Sequence, residues 1–198
     1  FGVSYHALHD RAVLKPGDTV LVIGAGGVGI GAMAVAKCMG ARVVISDLVD
    51  YRLETALAMG ADYAVNSRTE DLPGRVKELT DGVGADVVLE CVGGNQSLTL
   101  QQAVNAVRFR GVVVTMGTFS GPEVAMNPNL IRWHEIDFRG SQGQYGAYAP
   151  TLKLLHENHF DVKPMCTHVF HLDDAQSAFD LLRHPGPDDH VIKVLMKP

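Results

Sequence analysis

The feature that most restricts this chain is a glycine loop set between two patterns of different period. Residues 19–23, Thr-Val-Leu-Val-Ile, form a short apolar run that ends at Gly24. A run apolar on both faces suits a strand buried in a parallel sheet. Gly24-Ala25-Gly26-Gly27-Val28-Gly29 follows, then residues 31–39, rich in Ala and other helix formers, with Gly40 placed to end a helix. Strand, G-x-G-x-x-G, helix is the order in which such a loop receives a dinucleotide. Gly24 permits the tight turn. Gly26 lets the backbone approach a pyrophosphate with no Cβ in the way, and Gly29 lets the helix pack closely on the strand. N–H groups and the dipole at the helix N-terminus then stabilise the phosphates, so Gly24, Gly26, Gly27 and Gly29 are candidate cofactor contacts.

The alternation continues along the chain. Strands are expected over 42–47, 63–65, 86–90 and 112–116, and helices over 51–59, 71–80 and 97–107, with Pro73 in the first turn of its helix. Strands separated by helical stretches of about 9–12 residues predict βαβ units. Right-handed crossovers then give a parallel sheet covered by helices on both faces. Residues 136–140 supply a sixth strand. The fold class expected is therefore α/β, a doubly wound (Rossmann) parallel six-stranded sheet. In such a sheet, ligands bind beyond the carboxyl ends of the strands, which directs attention to the loops after Ile23, Asp47, Glu90 and Met116.

Beyond a polar loop at 141–146 the pattern changes. A helix is expected over 149–157, a strand over 165–170, an amphipathic helix over 173–183 with Asp173 as its N-cap, and a last strand over 191–196. His184-Pro185-Gly186-Pro187 reads as a stop between the last two.

Composition narrows the function classes. The chain has 198 residues, 46% of them hydrophobic, which is too apolar for disorder. Acidic residues outnumber basic ones 22 to 17, with no basic patch, so a nucleic-acid partner is not expected. No apolar run reaches the roughly 18 residues that a membrane span needs. Cys38, Cys91 and Cys166 are too widely spaced for a disulfide framework or a zinc cluster, and no metal ligands are assigned. The chain begins at Phe1 without a signal peptide and enters mid-pattern; it reads as a cytoplasmic piece of something longer.

Asp47 ends the second strand, 18 residues after Gly29. A carboxylate there can accept hydrogen bonds from both hydroxyls of an adenosine ribose, and it would repel a 2′-phosphate, so NAD is expected over NADP. Arg52, five residues on, could reach the ribose or a phosphate, or stand as an exposed helix arginine. Other glycine-loop families fit less well. The strand before the loop lacks the acidic residue usual in methyltransferases. No Tyr has Lys four residues later, as short-chain dehydrogenases require. Gly29-Ile30-Gly31 supplies no P-loop Lys-Ser/Thr.

At this point the sequence resembles the medium-chain zinc-dependent alcohol dehydrogenases over nearly its whole length. The resemblance rests on Tyr5-His6-Ala7-Leu8, Lys15-Pro16-Gly17-Asp18 and the Gly24 loop. It continues through Met59-Gly60-Ala61-Asp62-Tyr63, Asp86-Val87-Val88-Leu89-Glu90-Cys91-Val92-Gly93 and Val162-Lys163-Pro164-Met165-Cys166-Thr167-His168. Asp47-Leu48 with Arg52-Leu53 is similar to the sorbitol and threonine dehydrogenase branches. The resemblance implies further cofactor contacts. Val28 would lie under the pyrophosphate and nicotinamide, and Cys91 and Val92 beside a ribose. Met116, Gly117, Thr118 and Ser141 would offer backbone groups to the carboxamide. Lys193 would reach the pyrophosphate, and Val3 the nicotinamide face.

The resemblance also implies a GroES-like catalytic domain N-terminal to Phe1, carrying the catalytic zinc and the proton relay. Residues 1–143 would be the NAD-binding domain and 144–198 a return to that catalytic domain. On this reading the full-length protein is an NAD-dependent alcohol or polyol dehydrogenase and a homodimer or homotetramer. This chain alone, with no catalytic residues assigned to it, would bind NAD(H) and catalyse nothing. A free-standing NAD(H)-binding module and a zinc-free medium-chain reductase are the alternatives. Polyol dehydrogenases tend to carry a Phe-Arg pair after the sixth strand where this chain has Gln142-Gly143-Gln144, which leaves the substrate open.

Three His pairs at a spacing of three, His6/His9, His156/His159 and His168/His171, are read as surface or domain-contact residues, because no carboxylate or Cys joins them at ligand spacing. Glu90-Cys91 is read as a strand end beside a cofactor rather than an acid–thiol pair. Cys38 is read as inert core. Trp133-His134 is read as dimer contact by sheet extension or as core packing.

Overall fold

A computed structural model describes residues 1–94, 97–121, 123–186 and 188–198. The chain opens with a short helix, α1 (Gly2–Tyr5), which runs into a π-helical stretch, His6–Ala12. Then come β1 (Thr19–Ile23), α2 (Gly27–Cys38), β2 (Arg42–Asp47), α3 (Asp50–Ala58) and β3 (Tyr63–Asn66). The second half of the sheet follows as α4 (Leu72–Leu79), β4 (Ala85–Glu90), α5 (Ser97–Ala106), β5 (Val107–Thr115), α6 (Pro128–Trp133) and β6 (Asp137–Gly140). The chain ends with α7 (Tyr148–Glu157), β7 (Cys166–His171), α8 (Ala175–Arg183) and β8 (Lys193–Lys197).

Strands β1–β6 form one parallel sheet in the order β3-β2-β1-β4-β5-β6. The chain winds outward from β1 to β3, returns to lay β4 beside β1, and winds outward again. The order reverses between β1 and β4, so the crevice at the carboxyl ends of these two strands is the place for a ligand.

The apolar runs are explained by burial on both faces. Val20 and Val22 of β1, Val43 and Ile45 of β2, and Val87 and Leu89 of β4 point to one side. There they pack with Ile30, Met33, Leu53 and the N-terminal Ala7 and Leu8. Leu21, Ile23, Val44, Val88 and Val113 point to the other side, against Leu72, Val76, Ala103 and Val104. Alternate side chains of a strand face opposite ways, so only a sheet covered twice needs both sets apolar.

The structure corrects several expected elements. Helix α2 begins at Gly27, not residue 31: Gly26 is extended (φ −74°, ψ −172°) and its carbonyl accepts the Ile30 N–H at 2.9 Å, so the glycine loop itself forms the first turn. Strand β5 begins at Val107 rather than 112; the register shifts between Ala85 and Val87, and Arg110 takes φ 57°, so an irregular stretch precedes the regular ladder. Strand β8 starts at Lys193 rather than 191, because the Ile192 N–H is taken by Thr167 Oγ1 at 3.1 Å before the ladder begins. Asp173 is not an N-cap. His171 caps a 3-10 turn, Leu172–Asp174, by accepting the Asp173 N–H, and α8 follows with Asp174 at its own N-cap.

Among the described residues, α1, the π-helical stretch it runs into and α6 have no counterpart in the sequence reading. The π-helical stretch escapes a search for a 3.6-residue period, and Val13 at φ 57° ends it. Helix α6 is signalled by Asn127-Pro128: the Asn127 side chain accepts the Asn129 N–H at 3.0 Å, and Pro sits in the first turn. Trp133 at its end, shortly before the outer strand β6 in the chain, is 56% exposed, so the core-packing alternative for it does not hold. Pro187 of the expected stop lies outside the described residues. No helix among the described residues is long and apolar enough to cross a membrane.

Candidate cofactor site

Gly24 turns the chain at the end of β1 with φ 97°, a conformation open to glycine. Its N–H donates to Ser46 O at 2.7 Å, which ties the loop to β2. A Cβ built on Gly29 would lie 1.7 Å from Gly24 O, so α2 crosses the loop in direct backbone contact. A Cβ on Gly26 would meet nothing within 4 Å. That open space lies before the N–H groups of the first turn of α2, as an anion site requires. Val28 is exposed, and a Cβ on Gly27 would lie 3.7 Å from Ile192 O and 3.9 Å from Lys193 Cδ. The segment entering β8 therefore reaches the start of α2.

Asp47 ends β2 with a largely buried side chain. Its Oδ2 accepts the Ala25 N–H at 2.7 Å; its Oδ1 accepts the N–H groups of Leu48 (2.8 Å) and Val49 (3.1 Å). Arg52 holds Nη1 3.8 Å from Asp47 Oδ2 and lies over the Tyr51 ring, with Nε donating to Tyr51 Oη at 3.3 Å. Tyr51 Oη donates in turn to Val191 O at 3.0 Å, and its ring stacks on His190 with centroids 4.5 Å apart.

A cleft of about 550 Å³ opens at these strand ends. Of the predicted residues, Gly24, Gly26, Asp47, Arg52, Cys91 and Val92 line it. Leu48, Val49, Ser67, Arg68, Leu98 and Gln102 also line it and were not among the predicted site residues. Ser67 and Arg68 follow β3, whose carboxyl end the sheet order places beside β2, so the strand-end rule could have found them. Ser46 Oγ, buried on the wall of the cleft, has no hydrogen-bond partner among the described residues.

The remaining predicted contacts lie farther along the sheet. Met116 and Gly117 both donate their N–H to Glu90 O, at 2.9 and 3.1 Å, and Thr118 O accepts the Gly94 N–H at 3.0 Å. Ser141 donates to Thr115 O at 3.0 Å, just past β6. Glu90 is fully buried; its Oε1 accepts from the Val92 N–H (3.1 Å) and Thr99 Oγ1 (3.0 Å), which ties α5 to the end of β4. Burial, and next the charge of Glu90, pushes the Cys91 thiol well up, so at neutral pH it is an uncharged wall group rather than a nucleophile.

Several histidines are engaged by residues close in sequence. Contrary to the sequence reading, a carboxylate does join one pair: Asp10 lies between His6 and His9, with each Nδ1 2.7 Å from a different carboxylate oxygen. His171 Nδ1 is 3.1 Å from Asp173 Oδ2, and His168 Nδ1 is 3.0 Å from Thr167 Oγ1. Among the described residues no group of three or more His, Cys, Asp or Glu side chains is arranged to hold a metal ion.

The sequence profile of the zinc-binding dehydrogenases matches residues 27–157. A sorbitol dehydrogenase of Halalkalibacterium halodurans is 36% identical over 198 residues, which span 98% of this chain and 56% of that protein. An L-threonine 3-dehydrogenase of Anaeromyxobacter sp. (strain K) is 37% identical over 174 residues, 84% of this chain and 48% of that one. The crystal structure of 2R,3R-butanediol dehydrogenase from Bacillus subtilis superimposes with a TM-score of 0.86 at 27% identity, covering 100% of this chain and 56% of the other. The chain thus spans about half the length of the curated relatives it matches.

Proposed function

The chain belongs to the zinc-binding dehydrogenase family, where it corresponds to the NAD-binding C-terminal half of the medium-chain alcohol dehydrogenases, and from that premise we propose that it holds NAD(H) at the carboxyl ends of β1, β2 and β4 for hydride exchange with an alcohol or polyol. The observation that carries this reading is the open space over Gly26, next to the first turn of α2 and 2.7 Å-bonded through Ala25 to Asp47. The residues fit the coenzyme. Gly24, Gly26, Gly27, Val28 and Gly29 present backbone to the pyrophosphate, Lys193 adds a cation from β8, and Asp47 with Arg52 meets the ribose. Cys91 and Val92 wall the cleft, and Met116, Gly117, Thr118 and Ser141 lead toward the nicotinamide. The bound coenzyme supplies the hydride chemistry; the contribution of this chain is position.

The proposal extends to the organisation of the chain. Residues 1–143 form the coenzyme domain and 144–198 pack on a catalytic domain that supplies zinc ligands and a proton relay. Support comes from the second, two-stranded sheet of β7 and β8 with α8, where Val169, Leu172, Phe179, Leu182, Leu195 and Met196 are each exposed. The exposed Trp133, shortly before edge strand β6 in the chain, fits a homodimer or homotetramer built by sheet extension. Three free thiols fit a reducing, cytoplasmic setting. The chain alone binds NADH without oxidising alcohols.

Titration of the chain with NADH, followed by nucleotide fluorescence or calorimetry, tests this reading. Saturable binding supports it, and no binding at millimolar NADH overturns it.

A further inference from the structure

Among the described residues, Glu90 is the only acidic or basic residue that is buried. It ends β4, where the strand order reverses. Taking a carboxyl group out of water costs free energy unless its hydrogen bonds are met. The neighbouring strands carry Ile23 and Thr115 at the same level, so the sheet itself does not call for an acid there. A position that breaks the rule of an apolar interior is expected to serve a site. What this carboxyl group obtains is a directional hold on the cleft. Its Oε1 accepts the Val92 N–H at 3.1 Å and the Thr99 hydroxyl at 3.0 Å; Val92 and Thr99 both line the cleft. Val92 in turn closes on the glycine loop, since a Cβ built on Gly24 would lie 2.9 Å from Val92 Cγ2. The main chain of Glu90 acts on the next strand: its carbonyl accepts the N–H groups of Met116 (2.9 Å) and Gly117 (3.1 Å). One buried residue thus ties the exits of β4 and β5 to the first turn of α5 and, through Val92, to the loop after β1.

We propose that Glu90 is a positioning residue for the coenzyme: without touching it, the carboxyl group fixes Val92 and Thr99 where the nucleotide enters. Ordering a loop or a side chain on binding subtracts from affinity. With Oε1 in place, the turn after β4 is ordered before the nucleotide arrives. Without it, binding itself must order Val92 and Thr99, and affinity falls accordingly. The hold requires an acceptor oxygen at this point rather than a net charge. The inference rests on the coenzyme-site reading above.

The test is calorimetric titration with NADH at a temperature where parent and variants are fully folded. Glu90→Leu keeps the volume and removes the acceptor; it should weaken NADH by about tenfold or more, the loss expected for two hydrogen bonds to a carboxyl group. Glu90→Gln keeps an oxygen for Val92 and Thr99 and should bind within about threefold of the parent. Thr99→Val keeps the shape of the wall and removes one donor, so it should weaken NADH by about threefold to tenfold. Added to Glu90→Leu it should cost little more, because Thr99 acts through that carboxyl group. Asp62→Asn, at the amino end of β3, controls for lost stability and should bind NADH as the parent does. A folded Glu90→Leu protein with parental affinity overturns the proposal. So do additive losses in the double variant, or a loss in Glu90→Gln as large as in Glu90→Leu. If Glu90→Leu does not fold, Thr99→Val decides, and unchanged affinity there overturns the proposal. Parental binding with unmoved variants refutes the role of Glu90 alone, whereas no binding by the parent refutes the coenzyme reading with it.

Discussion

Asp47 Oδ2 accepts the Ala25 N–H at 2.7 Å, so the carboxylate that ends β2 clasps the glycine loop that ends β1. With the Leu48 and Val49 N–H groups on its other oxygen, Asp47 is a structural acceptor before any ribose arrives. Asp47→Ala is therefore expected to act twice. It should lower stability by about 1–3 kcal/mol, because the N–H of buried Ala25 loses its partner along with those of Leu48 and Val49, and it should weaken NADH more than NADPH, because only the former depends on a carboxylate at the 2′-hydroxyl. Urea unfolding gives the first effect and paired titrations the second. Unchanged stability would show that the clasp contributes nothing to the fold; equal weakening of both nucleotides would remove Asp47 from the ribose.

The glycines of one loop should separate into folding and binding roles. A Cβ on Gly29 would sit 1.7 Å from Gly24 O, a backbone atom that cannot move without displacing β1. Gly29→Ala should cost about 3 kcal/mol or more. Gly26 has an ordinary φ of −74° and open space around its missing Cβ. Gly26→Ala should leave stability within about 1 kcal/mol of the parent and yet abolish NADH binding, since the methyl group occupies the approach of the pyrophosphate. Thermal unfolding and NADH titration of the two variants check this, and a Gly26→Ala protein that still binds NADH would move the pyrophosphate elsewhere.

The difference between these two glycines also shows what the sequence could reveal. The strand, loop and helix order around Gly24 to Gly29 was legible because each glycine answers a local steric demand, and the six parallel strands followed from apolar runs that only a doubly covered sheet can bury. The π-helical stretch at His6–Ala12 was not legible, because its hydrogen bonds do not follow a 3.6-residue period. Strand β8 was placed two residues early because Val191 and Ile192 are as apolar as the strand itself; only the Thr167 hydroxyl, remote in sequence, takes the Ile192 N–H out of the ladder. Arg68 was missed because its place in the cleft depends on β3 lying beside β2, a property of strand order rather than of nearby residues. Asp10 between His6 and His9 was missed for a local reason: the contact depends on how the helix winds there.

Acid stability should depend on Asp62. Burial is the largest single influence on this carboxyl and works to raise it. The Lys37 ammonium at 2.8 Å, the Val43 N–H at 2.7 Å and the nearby Arg42 charge together hold it below the usual 3.8. A carboxyl depressed in the folded state favours folding when ionised. Its contribution is fully present above the unfolded value and is lost as pH falls through the folded one. Urea midpoints should therefore be flat near neutrality and fall below about pH 4, the ordinary carboxylate range, and Asp62→Asn should be less stable at pH 7 with a shallower acid limb. An unaltered acid limb in the variant would assign the acid sensitivity to other carboxyls.

Tyr51 joins two parts of the chain that the sequence separates by 140 positions: its hydroxyl, which also receives Arg52 Nε, donates to Val191 O at 3.0 Å, and its ring stacks on His190. Because Ile192 and Lys193 lie against Gly27, this contact sets how closely the entry to β8 approaches the first turn of α2. Tyr51→Phe keeps the stack and removes the hydroxyl, at a cost of about 1 kcal/mol. The loss should be local, since the hydroxyl holds one carbonyl of this segment and none of the apolar packing, Ile192 included, that builds the core on that face of the large sheet. Hydrogen exchange should quicken at residues 190–198 and stay unchanged in β1, β2 and β4, with NADH affinity falling severalfold as Lys193 loses its fixed position. Uniform acceleration across both sheets would mean that Tyr51 supports the whole fold; unchanged exchange at 190–198 would mean that the stack with His190 holds the segment without the hydroxyl.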